Sequence, residues 1–140
     1  MYTDGSCLGN PGRGGWGVVS DDFKLCGGQP DTTNNQMEMK AVAKAIEVCI
    51  EKGISEVRIF TDSTYVKNGI TKWIINWKKN GWRTAAGKPV KNKELWVQID
   101  TLREKIKMIE WHWVRAHNGN PQNEAVDALA RECAKNIQVK

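Results

Sequence analysis

One helix followed by one strand limits the folds open to this 140-residue chain more than any other feature. Apolar side chains recur at helical spacing over residues 37–49, and Gly53 follows as a terminator. Asn35, with Glu38 three residues later, resembles a capping box at the start of this helix. Residues 57–62 (VRIFTD) are rich in β-branched and aromatic side chains, which favours a strand. A helix that leads into such a strand returns the chain beside a parallel neighbour, so we expect a mixed sheet.

The segments around this unit complete the predicted order of elements. Three short strands at the start of the chain form an antiparallel meander: one begins over residues 1–4, and the others span 15–20 and 23–26. After residues 57–62 the pattern predicts helices over 64–68, 71–80 and 93–106, a strand over 108–114 and a closing helix over 123–136. The order β-β-β-α-β-α-α-α-β-α predicts an α/β fold whose five-stranded mixed sheet, with three antiparallel and two parallel strands, is flanked by helices. The length is that of one domain, residues 1–140.

The composition excludes several classes of protein. At 40% hydrophobic and 26% charged residues, the chain is neither disordered nor collagenous, and no run approaches the ~20 apolar residues of a membrane span. Residues 1–20 lack a basic region followed by an apolar one, so we expect a cytoplasmic protein. The cysteines are widely spaced, which argues against a zinc site and favours reduced thiols. Two of them, Cys49 and Cys133, lie in apolar helical patterns and are expected to be packing residues.

The net charge of +5 is distributed unevenly along the chain. Residues 63–93 hold eight Lys and Arg side chains and no acid, whereas the remainder carries a charge of −3. The same segment holds three of the seven tryptophans. Trp73 and Trp77 are four residues apart and share a helix face, where they form either a small core or an aromatic surface for nucleic acid. Trp82 is assigned to the core.

Four acidic residues fall at informative places: Asp4 on the first strand, Glu38 at the start of the first helix, Asp62 at the end of the fourth strand, and Asp127 in the last helix. Singly, most of them are explained as helix caps or as members of a solvated face. A carboxylate on a central strand is costly to bury unless it is paired or bound to a metal. The first and fourth strands are predicted neighbours, which allows Asp4 and Asp62 to converge. Spacing alone does not decide between these interpretations.

Five motifs follow one another along the whole chain. They are residues 3–12 (TDGSCLGNPG), 32–38 (TTNNQME), 61–63 (TDS), 77–82 (WKKNGW), and His117 with Asn123-Glu124 before Asp127. In this order they resemble the successive motifs of type 1 ribonuclease H, the bacterial form especially. The resemblance implies one ribonuclease H domain with a basic handle over about residues 71–93. It also implies an endonuclease that cleaves the RNA strand of RNA/DNA hybrids and leaves 5′-phosphate and 3′-hydroxyl ends.

The resemblance assigns the catalytic chemistry to five residues. It makes Asp4, Glu38, Asp62 and Asp127 the ligands of two Mg²⁺ ions, with Asp4 bridging both. Carboxylates suit Mg²⁺, for which Mn²⁺ is a possible substitute, and ions ~4 Å apart neutralise a phosphodiester's charge from both sides during hydrolysis. Without metal, such carboxylates repel one another, so some are expected to titrate above the ordinary range. His117 matches the histidine that handles protons and product release, although a lone loop histidine is more often a solvated side chain.

Substrate recognition is assigned by the same resemblance. Distinguishing RNA from DNA requires contacts with the 2′-hydroxyl, which fall to the Cys7 backbone, Asn10, Asn34 and Asn35. The remaining assignments are a DNA-phosphate pocket and the handle: Thr33 and Asn92 in the pocket, and Trp73, Trp77, Lys78 and Lys79 on the handle. We expect an RNA/DNA hybrid as the partner, no membrane, no organic cofactor and a monomer. The alternative is a non-catalytic module that binds hybrids with the same fold.

Overall fold

The computed structural model describes residues 1–115 and 119–137. Within them, the strands are β1 Tyr2–Cys7, β2 Gly12–Val19, β3 Lys24–Thr32, β4 Glu56–Thr61 and β5 Met108–Trp113. The α-helices are α1 Asn34–Glu51, α2 Thr64–Asn68, α3 Ile74–Lys79, α4 Lys93–Arg103 and α5 Pro121–Asn136. A π-helical turn, Gly69–Trp73, joins α2 to α3. The predicted element order and α/β class are confirmed.

The sheet has the order β3-β2-β1-β4-β5, which places β1 at its centre. β1 pairs antiparallel with β2 and parallel with β4, as the helical crossover predicts. β2 pairs antiparallel with β3, and β4 pairs parallel with β5. The strands that carry Asp4 and lead to Asp62 are therefore neighbours.

Helices cover both faces of this sheet. The larger core lies under α1 and α4, where Ile46, Ile99 and Trp96 are fully buried. On the other face, α5 contributes Val126 to a smaller cluster with Tyr2 of β1. The backbones approach closely here, because a Cβ built on Gly15 of β2 would lie 2.2 Å from the carbonyl oxygen of Ala130. Only glycine permits α5 to lie this close to the centre of the sheet.

Two details at the start of the chain correct the expectations. β3 runs over Lys24–Thr32 rather than ending near residue 26, because it pairs with β2 from Lys24 to Gln29 and again at Thr32. Its glycines and Pro30 weaken the strand signal in the sequence. The helix cap is also different from the expected capping box: Thr33 is the N-cap, and its hydroxyl accepts a hydrogen bond from the Gln36 N–H at 3.2 Å.

The helices after β4 form a nearly continuous run. The helix expected over residues 71–80 begins earlier, as the π-helical turn that follows α2 directly, and α3 ends at Lys79. At this turn, a Cβ on Gly69 would lie 2.1 Å from the Trp96 ring, so the indole packs against bare backbone. This contact anchors the run on α4.

The cysteines are arranged differently from the expectation of reduced thiols. Cys26 of β3 and Cys133 of α5 form a disulfide with a Cα separation of 6.3 Å, within the usual range. Cys133 is thus more than a packing residue, whereas Cys49 is buried with a free thiol as expected. A pairing across 107 residues leaves no local signal in the sequence.

None of the helices in the described ranges is long and apolar enough to span a membrane.

Candidate metal site and nucleic-acid surface

Three of the four candidate carboxylates meet at the centre of the sheet. One oxygen each from Asp4, Glu38 and Asp62 lies within 4.8 Å of the others. Asp4 is on the central strand β1, Glu38 is on α1, and Asp62 follows the last residue of the neighbouring strand β4. Asp4 is 4% exposed and Glu38 is 8% exposed. The structure therefore collects acidic side chains that are far apart in sequence into one group, in which Asp4 and Glu38 are buried and Asp62 is half-buried.

Glu38 is held by the strand beside it. Its Oε1 accepts a hydrogen bond from the backbone N–H of Gly5. Its Oε2 is buried and has no hydrogen-bond partner among the described residues. An unpaired buried carboxylate oxygen is costly, and a divalent cation is the partner that such oxygen ligands suit. The donor set of this group fits a hard metal ion.

The electrostatics of the group also favour a cation. Burial raises the pKa of Asp4 most, and the adjacent carboxyl of Glu38 and the charge of Asp62 raise it further. Burial likewise raises the pKa of Glu38, although the neighbouring Asp4 carboxyl and the Gly5 N–H oppose that rise. Burial raises the pKa of Asp62 too. Since like charges at this distance disfavour joint ionisation, the group retains protons unless positive charge enters.

Asp127 lies at the margin of this group. Its carboxyl contributes to the raised pKa of Asp4, and its charge contributes to the raised pKa of Asp62. Its Oδ2 also accepts from Nη2 of Arg131 at 2.7 Å, one turn further along α5. Asp127 is thus next to the three carboxylates but shares its charge with an arginine.

The start of α5 is fixed on the sheet by residues without an expected role. Asn120 caps the helix: its Oδ1 accepts from the N–H groups of Gln122 and Asn123, each at 3.0 Å. Its Nδ2 donates to the Tyr2 hydroxyl of β1 at 3.3 Å. The side chain of Asn123 is buried and limits the rise of the pKa of Asp62. In the sequence, Asn123 is visible only as part of a motif. The predicted catalytic residue His117 lies outside the described residues.

Five residues expected to contact substrate line one cleft of about 370 Å³, together with Pro11 and Lys91: they are Asn10, Thr33, Asn34, Asn35 and Asn92. Asn10 Oδ1 accepts from the Asn34 N–H at 3.2 Å, which ties the loop after β1 to the start of α1. Asn92 has a positive φ of 60°. Its side chain accepts from Gln36 and donates to Tyr65, each at 3.2 Å. Lys91 in this cleft was not singled out from the sequence, and Cys7 lies nearby at the end of β1.

The handle tryptophans form a half-buried aromatic cluster. The rings of Trp73 and Trp77 have centroids 5.8 Å apart, and Trp77 lies 5.8 Å from Trp96 of the core. Trp82 packs against Trp77 at 6.4 Å, in agreement with its assignment to the core. Packing in a small core therefore buries much of each ring, and only the outer parts of the rings remain accessible.

The neighbouring lysines differ in their partners. Lys78 Nζ lies 3.0 Å from Asp100 and 3.7 Å from Glu104. Asp100 is in α4, and Glu104 is the residue after that helix. The hydrogen bond and charge of Asp100 raise the pKa of Lys78. Lys79 is exposed and forms no ion pair with any described residue. Of the two lysines, only Lys79 has no ion-pair partner among the described residues.

Sequence comparison assigns this chain to a known family. The model of the RNase H family matches residues 1–135. The chain belongs to the ribonuclease H family. The ribonuclease H of Cupriavidus necator is 50% identical over 141 residues, which cover 98% of this chain and 95% of that protein. The ribonuclease H of Brucella anthropi is 53% identical over 135 residues, covering 94% of this chain and 86% of that protein.

Solved structures of ribonucleases H have the same fold. LC9-RNase H1, a type 1 RNase H with the type 2 active-site motif, superposes with a TM-score of 0.83 at 33% identity, covering 96% of this chain and 70% of that one. RNase H1 from the halophilic archaeon Halobacterium salinarum gives 0.70 at 26% identity, covering 97% and 96%. The resemblance inferred from the motifs is confirmed, and with it the hydrolase and ribonuclease H endonuclease activity.

Proposed function

We propose that this ribonuclease H hydrolyses the RNA strand of RNA/DNA hybrids at the group formed by Asp4, Glu38 and Asp62, with two Mg²⁺ ions as cofactors. The observation that carries the proposal is the convergence of these carboxylates within 4.8 Å. The products are 5′-phosphate and 3′-hydroxyl ends, and Mn²⁺ is an acceptable substitute for Mg²⁺. Asp127 is the fourth ligand, for which its carboxyl must turn from Arg131 towards Asp4.

The ligand assignment follows from the chemistry of the donors. Asp4, Glu38 and Asp62 offer only carboxylate oxygens, which hard divalent cations prefer. When bound, such ions neutralise the charge that develops on phosphate oxygens as water attacks. Asp4, on the central strand, is flanked by the other carboxyls and would hold the ions together with Glu38 and Asp62. The protein contributes rigid placement, because each ligand is on or next to a regular element of the core.

Proton transfer is assigned to His117. A histidine titrates near neutral pH and can accept a proton in one step and release it in the next. The assignment is supported by the position of His117 in the motif that precedes α5. The described residues resume at Gly119, and the contact of Asn120 with Tyr2 fixes α5 next to β1.

Recognition of the hybrid is assigned to the cleft between the loop after β1 and the start of α1. Short polar side chains at Asn10, Asn34 and Asn35, with the Cys7 backbone, suit the 2′-hydroxyl groups of RNA. Thr33 and Asn92 hold a DNA phosphate, and the adjacent Lys91 supplies a positive charge. On the handle, the accessible parts of Trp73 and Trp77 contact the DNA strand together with Lys78 and Lys79.

The cellular setting and assembly complete the proposal. We expect one domain over residues 1–140, with the handle over about residues 71–93, acting as a monomer in the cytoplasm. The absence of a membrane-spanning helix among the described residues is compatible with that setting. The Cys26–Cys133 disulfide is the feature that speaks against permanently reduced thiols.

A substrate panel tests the proposed activity. Labelled RNA is presented as an RNA/DNA hybrid, as double-stranded RNA and as a single strand, and duplex DNA is included, each with and without Mg²⁺. We expect cleavage of RNA in the hybrid alone and only with Mg²⁺ or Mn²⁺. Metal-independent binding of the hybrid without cleavage would support the non-catalytic module instead. Cleavage of duplex DNA would contradict the proposed specificity.

A further inference from the structure

The most exposed of the seven tryptophans lies outside the handle. Trp113, the last residue of β5, is 44% exposed, whereas the other six are half-buried or buried. The rings of Trp73 and Trp77 are restricted by their aromatic cluster. Trp113 is therefore the indole with the largest exposed fraction for a ligand.

Trp113 also lies beside the carboxylate group. In the parallel pairing of β4 with β5, it stands opposite Thr61, the residue before Asp62. The Thr61 hydroxyl accepts a hydrogen bond from the Ser63 N–H at 3.1 Å, which fixes the turn that contains Asp62. A strand of nucleic acid that reaches Asp62 thus passes close to the end of β5.

The surroundings of the Trp113 ring are positively charged. Lys67 Nζ lies 5.5 Å from its ring centroid, and Arg115 is exposed two residues further along the chain. No acidic residue lines the small cavity of about 50 Å³ next to the ring, whose walls include Ile70 and Thr71 of the π-helical turn. An exposed ring with a lysine 5.5 Å from its centroid, next to a cavity that no acid lines, is a combination that binds stacked bases and phosphates.

We propose that Trp113 and Lys67 form a second nucleic-acid contact, which holds the RNA strand next to the scissile phosphate. The inference rests on the proposed function and extends it to residues outside the handle and the cleft. Lys67 supplies charge for a phosphate, and the Trp113 ring supplies a surface for a sugar or base. A single exposed ring offers too little area for a stable protein interface, whereas it is sufficient for one nucleotide.

Binding and turnover measured separately test this contact. The variants are Trp113→Ala, Trp113→Phe and Lys67→Met, with Met108→Ala as the control, because Met108 is 55% exposed at the opposite end of β5. The dissociation constant of an RNA/DNA hybrid is measured without metal at several salt concentrations, and kcat and KM are measured with Mg²⁺. Thermal unfolding identifies any variant that fails to fold.

We expect Trp113→Ala to raise the dissociation constant and KM by about five- to tenfold, with kcat changed less than about twofold. Trp113→Phe retains most of the affinity, and Lys67→Met flattens the salt dependence. Unchanged affinity in folded Trp113→Ala would overturn the proposal, as would an equal loss in Met108→Ala. If the wild type bound hybrids without cleaving them, the proposed activity would fail, while the metal-free binding comparison would still decide the role of Trp113.

Discussion

The Glu38 side chain accepts a hydrogen bond from the backbone N–H of Gly5, the residue after Asp4 on β1. This bond links the central strand to α1 at the point where two candidate metal ligands meet. The two backbones are also in direct contact, because a Cβ on Gly5 would lie 2.3 Å from the Glu38 nitrogen. Secondary structure and ligand placement therefore depend on the same contact.

Replacing Gly5 by alanine should disturb both the packing of α1 on β1 and the placement of Glu38. The added methyl group meets backbone, which cannot rotate away, so α1 must shift from β1. We expect Gly5→Ala to lower the free energy of unfolding by about 1–3 kcal/mol and to weaken Mg²⁺ binding. Urea unfolding and calorimetric titration with Mg²⁺ measure the two effects. A variant with wild-type stability and metal affinity would show that this contact does not set the position of Glu38.

The raised pKa values predict how metal-free stability depends on pH. In the folded state the carboxyls of Asp4 and Glu38 have pKa values above their ordinary 3.8 and 4.5. In the pH interval between the ordinary and the raised pKa values, the folded protein therefore binds more protons than the unfolded chain. Stability without metal should therefore fall as the pH rises through that interval towards neutrality. Thermal unfolding in EDTA measures this slope, and added Mg²⁺ should restore stability.

The Asp4→Asn variant tests whether repulsion between carboxylates causes the pH dependence of metal-free stability. It removes one carboxylate from the group, so at neutral pH we expect a higher melting temperature than the wild type without metal, a shallower pH dependence and no cleavage. A lower melting temperature than the wild type under these conditions would argue against a repulsive carboxylate cluster.

Lys78 and Lys79 should behave differently although they are adjacent. Lys78 is paired with Asp100 and Glu104, so Lys78→Ala should lower the urea midpoint as well as weaken binding. Lys79→Ala should leave the midpoint unchanged, weaken hybrid binding about two- to threefold and reduce its salt dependence. The comparison requires only urea unfolding and hybrid titrations at several salt concentrations. Equal stability losses in both variants would contradict the ion-pair assignment.

The disulfide predicts a stability that responds to reductant. Cys26 and Cys133 enclose a loop with a sequence separation of 107, so reduction should lower the free energy of unfolding by ~2–5 kcal/mol. Dithiothreitol and the Cys26→Ser substitution should have similar effects on urea unfolding. Cys7→Ser is the control, because Cys7 has a free thiol and its loss should leave the reductant effect intact. A wild-type midpoint that reductant does not change would exclude a role for the bridge.

The sequence predicts the features that depend on topology. A helix between a meander and residues 57–62 requires a parallel neighbour for β4, and this places Asp4 beside Asp62. Features that depend on tertiary contact were not predictable. The extent of β3 depends on pairing with β2 that outweighs its weak propensity. The positive φ of Asn92 and the Cys26–Cys133 bridge likewise depend on residues distant in sequence.

In the candidate site, too, the sequence predicts some features but not those that depend on tertiary contact. The motifs point to the carboxylates, but neither the unpaired Glu38 Oε2 nor the contact of Asn123 with Asp62 has a local signature. The basic segment indicates a nucleic-acid surface, yet its tryptophans are half-buried, and the most exposed indole belongs to β5. Periodicity places a side chain on a face of an element, whereas packing decides how much of it remains accessible.

The most direct measurement is cleavage of an RNA/DNA hybrid, labelled on the RNA strand, by the wild type and by Asp62→Asn over a series of Mg²⁺ concentrations. Thermal unfolding of the variant in parallel confirms that it folds. The account predicts Mg²⁺-dependent wild-type cleavage that leaves 3′-hydroxyl and 5′-phosphate ends, and no cleavage by Asp62→Asn at any Mg²⁺ concentration. Wild-type cleavage in EDTA, or a folded Asp62→Asn variant that cleaves as fast as the wild type, would contradict catalysis by a metal held at Asp4, Glu38 and Asp62.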